Sequence, residues 1–148
     1  MIQVLETPAT TRIGALIDSL ETSWNRHDMR AYAALFAEDA DFVNVVGMHW
    51  RGRAEILATH VRLHETIFRD SAIRPLDYSV RLVGPDVAHC IVSWEMTGAH
   101  GLENWQVPQV RTGKMSLVLT PAENSPSGWM IAALHNTEAV NISMADVK

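Results

Sequence analysis

Trp129-Met130-Ile131-Ala132-Ala133-Leu134-His135, followed at once by Asn136 and Thr137, reads as a buried strand that ends on polar groups. By the period of two, Trp129, Ile131, Ala133, His135 and Thr137 share one face. If Trp129 and Ile131 point into the core, His135 points with them, and Asn136 points away unless a bulge re-aims it. A His-Asn-Thr cluster at the end of an apolar strand is what the inner wall of a pocket needs. The alternative for His135 is a histidine at a barrel edge with its hydrogen bonds satisfied.

Upstream of this strand the chain alternates with period two, and turn residues divide it. Strands are expected over Asp77–Val83, Val87–Thr97, Val110–Thr120 and Trp129–Val140. Gly84-Pro85-Asp86 turns between the first two, and Asn124-Ser125-Pro126-Ser127-Gly128 between the last two. Gly98–Pro108 is a longer loop. Short turns between successive strands imply antiparallel neighbours. Cys90, Val92, Trp94 and Met96 form the more apolar face of their strand, so Trp94 is expected to face inward and Glu95 outward. Arg111 shares parity with Met115, Leu117 and Leu119. There it either meets a buried carboxylate, holds an anionic ligand, or snorkels to water from the strand end.

The first half of the chain is helical in period. Thr7 and Pro8 form an N-cap followed by proline at the first helical position. Ile13, Leu16, Ile17, Leu20 and Trp24 then recur at helical spacing, giving a first helix over about residues 8–26. Asp28 caps a short second helix carrying Ala31, Tyr32, Leu35 and Phe36. The turn Glu38-Asp39-Ala40-Asp41 leads into a strand from Phe42 to Val46, and Gly47 and Gly52 bracket a loop. A third helix runs from about Arg53 to Phe68. Helices followed by a run of strands give an α+β fold with the helices on one face of a curved sheet.

The third helix carries the second anomaly. Ile56, Leu57, Val61, Leu63, Ile67 and Phe68 define its apolar arc, and Arg53, His60 and His64 fall near the middle of it. Polar groups on a core-facing stripe are costly unless they meet partners or a cavity. Each histidine therefore either bonds a buried carbonyl or looks into a pocket, where its near-neutral pKa suits proton transfer. His60 and His64 also have the i, i+4 spacing of a zinc pair, with His135 or His49 as a conceivable third ligand. The glutamate of the metalloprotease signature is missing, and no metal is expected. Nucleotide-loop and serine-hydrolase motifs are absent too.

Bulk properties narrow the class. The 148 residues suffice for one domain with one core, and no repeat or low-complexity linker divides them. A net charge of -5 argues against nucleic acid and anionic membranes as partners. No window reaches the ~18 consecutive apolar residues of a membrane span. Met1–Glu6 lacks the basic start of a signal peptide, so a cytoplasmic location is expected. The single Cys90 reads as a small buried hydrophobe.

Several pieces, in this order, resemble a known superfamily. They are Trp24-Asn25 with Asp28, Phe36-Ala37-Glu38-Asp39-Ala40-Asp41-Phe42, Gly52-Arg53 with Ile56 and His60, Arg111 with Gly113, and Gly128-Trp129-Met130-Ile131 with His135-Asn136-Thr137. The chain is similar to the nuclear-transport-factor-2-like, or SnoaL-like, superfamily, and within it to the SgcJ/EcaC type. The resemblance implies a cystatin-like cone, a strongly curved mixed or antiparallel sheet wrapped around about three N-terminal helices. It also implies a homodimer through the outer sheet face. Members include ketosteroid isomerase, limonene-epoxide hydrolase, polyketide cyclases and noncatalytic domains, so the fold alone does not give function. The aspartate base of the isomerases and cyclases has no secure counterpart here.

The expectation is then a single SnoaL-like domain with a pocket between the third helix and the sheet. It would be an acid–base enzyme without metal or organic cofactor, acting on a small apolar or partly polar molecule bearing a carbonyl or epoxide. His60 and His135 would exchange protons, Asn136 and His64 would orient, and Arg53 would stabilise a developing anion. Trp24, Arg53, Ile56, His64, Trp94, Arg111 and Trp129 would line the pocket. The rival is a noncatalytic ligand-binding or structural dimerisation module.

Overall fold

Helix α1 (Pro8–Asn25) starts where the sequence places its cap: the Thr7 side chain accepts from the Thr10 backbone, and the Thr10 hydroxyl accepts from the Thr7 N–H. Its buried stripe is Ile13, Leu16, Ile17, Leu20 and Trp24, as the helical spacing requires. The structure, a computed structural model, describes residues 7–147; Met1–Glu6, on which the expected absence of a leader rests, lies outside the described residues. Among the described residues no helix is long and apolar enough to cross a membrane.

Asp28 caps α2 (Met29–Ala33) through its side chain. Phe36, read from the sequence as the end of this helix, instead opens strand β1 (Phe36–Val43), where it pairs with Ile131. The competing bonds explain the change: the backbone carbonyl of Leu35 accepts from Ile131 N–H at 2.9 Å, which draws the chain into the sheet. The Glu38–Asp41 segment is therefore not a turn before the strand but an irregular stretch within it. The short strand β2 (His49–Arg51), read as loop, pairs antiparallel with β1.

Helix α3 (Arg53–Glu65) ends three residues before the expected Phe68. Strand β3 (Ala72–Gly84) begins before Pro75, not after it. It is an edge strand, where a missing N–H costs no ladder bond, and its register slips between Pro75 and Asp77. Strands β4 (Val87–Thr97), β5 (Val110–Pro121) and β6 (Trp129–Glu138) follow close to the expected boundaries.

All six strands form one open, curved sheet in the order β2-β1-β6-β5-β4-β3. The neighbours are antiparallel except β1 and β6, which run parallel because the helices and remaining strands intervene between them. The concave face carries Cys90, Val92, Trp94 and Met96 from β4 and Met115, Leu117 and Leu119 from β5, all buried against α1 and its neighbours. Cys90 is fully buried, and burial pushes its thiol pKa up to about 12, so it packs as a hydrophobe.

One irregularity decides which side chains look inward. On β6, Val118 faces Ala133 but Leu119 faces Ile131, so Ala132 is an extra residue in the ladder. Before it, Trp129 and Ile131 are buried; after it, Leu134 is buried and His135 is exposed. The period-two face drawn through Trp129, Ile131, Ala133, His135 and Thr137 is thus broken at the bulge.

Candidate functional site

A cavity of about 490 Å³ lies between α3 and the concave face of the sheet. That falls in the range of small-molecule sites. Its walls are largely aromatic and apolar, with Trp24, Tyr32, Phe42, Trp50, Phe68 and Trp94 among them. Val46, Met48 and Leu102, each more than half exposed, also border it.

Only a few polar groups reach this space. The first is His60, 2% exposed, with its ring against Tyr32, Phe42 and Trp50 at centroid distances of 5.0, 4.9 and 5.4 Å. Its Nδ1 lies 2.8 Å from the Ile56 carbonyl oxygen. A carbonyl only accepts, so Nδ1 carries the proton and Nε2 keeps a lone pair. The hydrogen bonds of the described residues include none to Nε2, and the ring lines the cavity. Burial pulls the pKa down to about 4, with the Ile56 hydrogen bond opposing it. One ring nitrogen thus satisfies a backbone carbonyl, and the ring borders the cavity. Beside it, Tyr32 is 4% exposed and its hydroxyl has no partner among the described residues; burial raises its pKa.

The second polar group is built across three strands. Trp94 on β4 donates its indole N–H to Asn136 Oδ1 on β6 at 2.7 Å. The bulge at Ala132 is what turns Asn136 toward the cavity and His135 away from it. Arg111 on β5, 3% exposed, donates from Nε to Glu138, which the same phase shift brings inward beside Asn136. Nη1 of Arg111 lies 3.9 Å from Met96 Sδ, and the guanidinium sits 5.2 Å from the centroid of the Trp105 ring.

The structure redistributes the expected residues. His60, Asn136, Trp24, Trp94 and Arg111 come together at the cavity. His135 does not: it is exposed, opposite Ser116 on the outer face of the sheet, so the proposed His60–His135 proton pair has no geometric basis. His64 is buried, but it turns to His27, with which it shares a proton between Nδ1 atoms 2.8 Å apart, and its Nε2 is buried without a partner. Burial first, then His27 and His60, lower its pKa to about 3. Trp24, with ring centroid 4.4 Å from that of His64, separates this pair from the cavity it lines. Arg53 is held away by donating to the Phe36 carbonyl, and Ile56 and Trp129 are core residues outside the lining. Val61, placed on the apolar arc of α3, is 38% exposed. Among the described residues no three His, Cys, Asp or Glu side chains are grouped to hold a metal ion.

Sequence reasoning missed Tyr32, Trp50, Trp105 and Glu138. Tyr32 and Trp50 sat in segments read as helix stripe and loop. Glu138 shares parity with Asn136, but the outward assignment of that parity hid it.

An open curved sheet folded around helices, with an aromatic cavity on its concave side, defines a cystatin-like α+β protein. The chain belongs to the SnoaL-like domain family, whose model matches residues 17–119. Among solved structures, it is similar to an uncharacterised cystatin-like protein from Caulobacter vibrioides, with TM-score 0.81 and 28% identity over 90% of this chain and 92% of that one. A nuclear transport factor 2-like superfamily protein from Salmonella enterica matches with TM-score 0.73 and 20% identity, over 95% and 97% of the two chains. A ketosteroid isomerase-like protein from Erwinia carotovora matches with TM-score 0.68 and 18% identity, over 88% and 96%. The last two likenesses concern the fold. No curated protein matches the chain.

Proposed function

We propose that the protein binds a small, mainly apolar organic molecule in this cavity and acts on it by acid–base chemistry drawn from side chains alone. The observation that carries this reading is the lone-pair Nε2 of His60, inside an apolar cavity and without a protein partner. Neutral at physiological pH, the ring is free to take a proton. A base with a pKa of about 4 is weak, yet carboxylate bases of about 4.6 abstract protons next to carbonyls when the oxygen is stabilised. Here the Tyr32 ring lies 5.0 Å from that of His60, and its hydroxyl would donate to that oxygen. The C–H bond breaks, its proton passes to Nε2, and its electron pair moves onto the carbonyl oxygen as an enolate.

Hydrogen–deuterium exchange tests this without knowledge of the natural substrate. With 4-tert-butylcyclohexanone in D2O, the protein should speed exchange next to the carbonyl, and His60→Gln should remove ~10²–10⁴-fold of that rate. Binding of the ketone with no exchange above buffer would overturn the catalytic part.

A noncatalytic ligand-binding role is the second reading. It is favoured by the outward placement of His135 and by the pairing of Glu138 with Arg111, which leave His60 without a second histidine or a carboxylate among the described residues lining the cavity. Within the same proposal stand the SgcJ/EcaC type, a cytoplasmic location, and a homodimer through the outer sheet face. Ile91 and Val118 there, 40% and 36% exposed, are consistent with the last of these.

A further inference from the structure

The polar end of the cavity, on β5 and β6, offers hydrogen-bond donors with no net charge. An indole N–H only donates, so the Asn136 atom facing Trp94 is its oxygen, and its –NH2 is left without a partner among the described residues. Arg111 commits Nε to Glu138 and turns Nη1 to a sulfur, a weak acceptor; Nη2 has no partner among the described residues. Both side chains line the cavity, while Glu138 does not. The arginine is 97% buried by its 3% exposure, so its charge is not neutralised by water but by Glu138. A second carboxylate brought to this end would be desolvated without a cation of its own. Arg62, also on the lining, is exposed on α3, and solvent screens its charge.

We infer that this end selects a neutral oxygen acceptor, such as a ketone, ester or ether, and discriminates against carboxylates. The ligand class is therefore an uncharged apolar ring or chain that carries, apart from the carbonyl at His60, an oxygen acceptor at the Arg111–Asn136 end. This rests on the cavity reading above and deepens it, because an inward arginine suggests an anion site until its partner is counted.

Three matched probes separate the possibilities: methyl trans-4-pentylcyclohexanecarboxylate, the corresponding carboxylate, and pentylcyclohexane, titrated at pH 7.5 by calorimetry and by tryptophan fluorescence. The ester should bind at least about tenfold more tightly than either of the others. Glu138→Gln leaves the guanidinium unneutralised, and carboxylate binding should then improve by about tenfold or more while ester binding changes little. The ester–carboxylate ratio on the unaltered protein decides the matter should that variant fold poorly. A carboxylate that binds the unaltered protein as tightly as the ester overturns this inference and leaves the cavity reading standing. Failure of all three probes to bind overturns both.

Discussion

Trp94 reaches Asn136 across the whole width of strand β5, and it does so over Gly113. The indole N–H and the amide oxygen are 2.7 Å apart although their strands are not neighbours. A Cβ on Gly113 would lie 2.3 Å from Trp94 Cζ2 and 2.3 Å from the Thr137 carbonyl oxygen. The missing side chain is thus what lets the indole lie over the strand and close the polar end of the cavity.

Gly113→Ala should accordingly displace the indole or spread β5 from β6. A loss of about 1–3 kcal/mol is expected from overpacking, seen in urea denaturation, together with weaker binding of the ester probe. Unchanged stability would mean that the neighbours yield more easily than backbone and ring contacts allow.

The bulge at Ala132 makes opposite forecasts for two adjacent residues. His135→Ala, on an exposed outer-face side chain, should shift stability by no more than about 0.5 kcal/mol and leave ligand affinity unchanged. Asn136→Ala removes the acceptor of the Trp94 N–H and should cost about 1–3 kcal/mol and weaken ester binding. Denaturation and titration of the two variants side by side check the assignment; equal effects would contradict it.

Arg111 and Glu138 form a pair in which the arginine is buried and the carboxylate half-buried, with side chains 2% and 25% exposed. Arg111→Met alone should be costly, by about 1–3 kcal/mol, since it leaves the half-buried carboxylate without its partner. Arg111→Met with Glu138→Leu should recover most of that loss, because the desolvation of both charges disappears together. A double-mutant cycle by chemical denaturation measures the coupling.

The acid limb of stability should carry the signature of His60. Its folded pKa, about 4, lies below the ordinary 6.5, so the unfolded chain binds the proton first. The stabilisation is complete above pH 6.5 and is lost as pH falls through 6.5 toward 4. One group with this shift contributes on the order of 3 kcal/mol across that window. His64, lowered to about 3, acts in the same direction. In His60→Gln the slope of unfolding free energy between pH 6.5 and 4 should flatten; an unaltered slope would show that His60 does not titrate as its burial demands.

Much of the architecture was legible because periodicity reports it directly. The stripe Ile13–Trp24 and the inward faces of β4 and β5 follow from spacing, and the Thr7 cap from residue type. What escaped depended on contacts distant in sequence. Phe36 and Leu35 are claimed by β6, almost a hundred residues later, and local pattern alone put them on a helix. The single extra residue Ala132 inverted the reading of the last strand, exchanging His135 for Asn136 and concealing Glu138. Arg53 and His64 do occupy the inner arc of α3, but their partners, the Phe36 carbonyl and His27, lie on segments whose approach no spacing rule supplies.

The central claim is that His60 presents an unprotonated Nε2 to a ligand cavity. Nitrogen-15 NMR of the imidazole, recorded between pH 3 and 8 with and without 4-tert-butylcyclohexanone, addresses it most directly. The account predicts a neutral ring protonated at Nδ1 above about pH 4, with an Nε2 resonance that moves when the ketone binds. A ring protonated at Nε2, titrating near 6.5 and indifferent to the ketone, would contradict it.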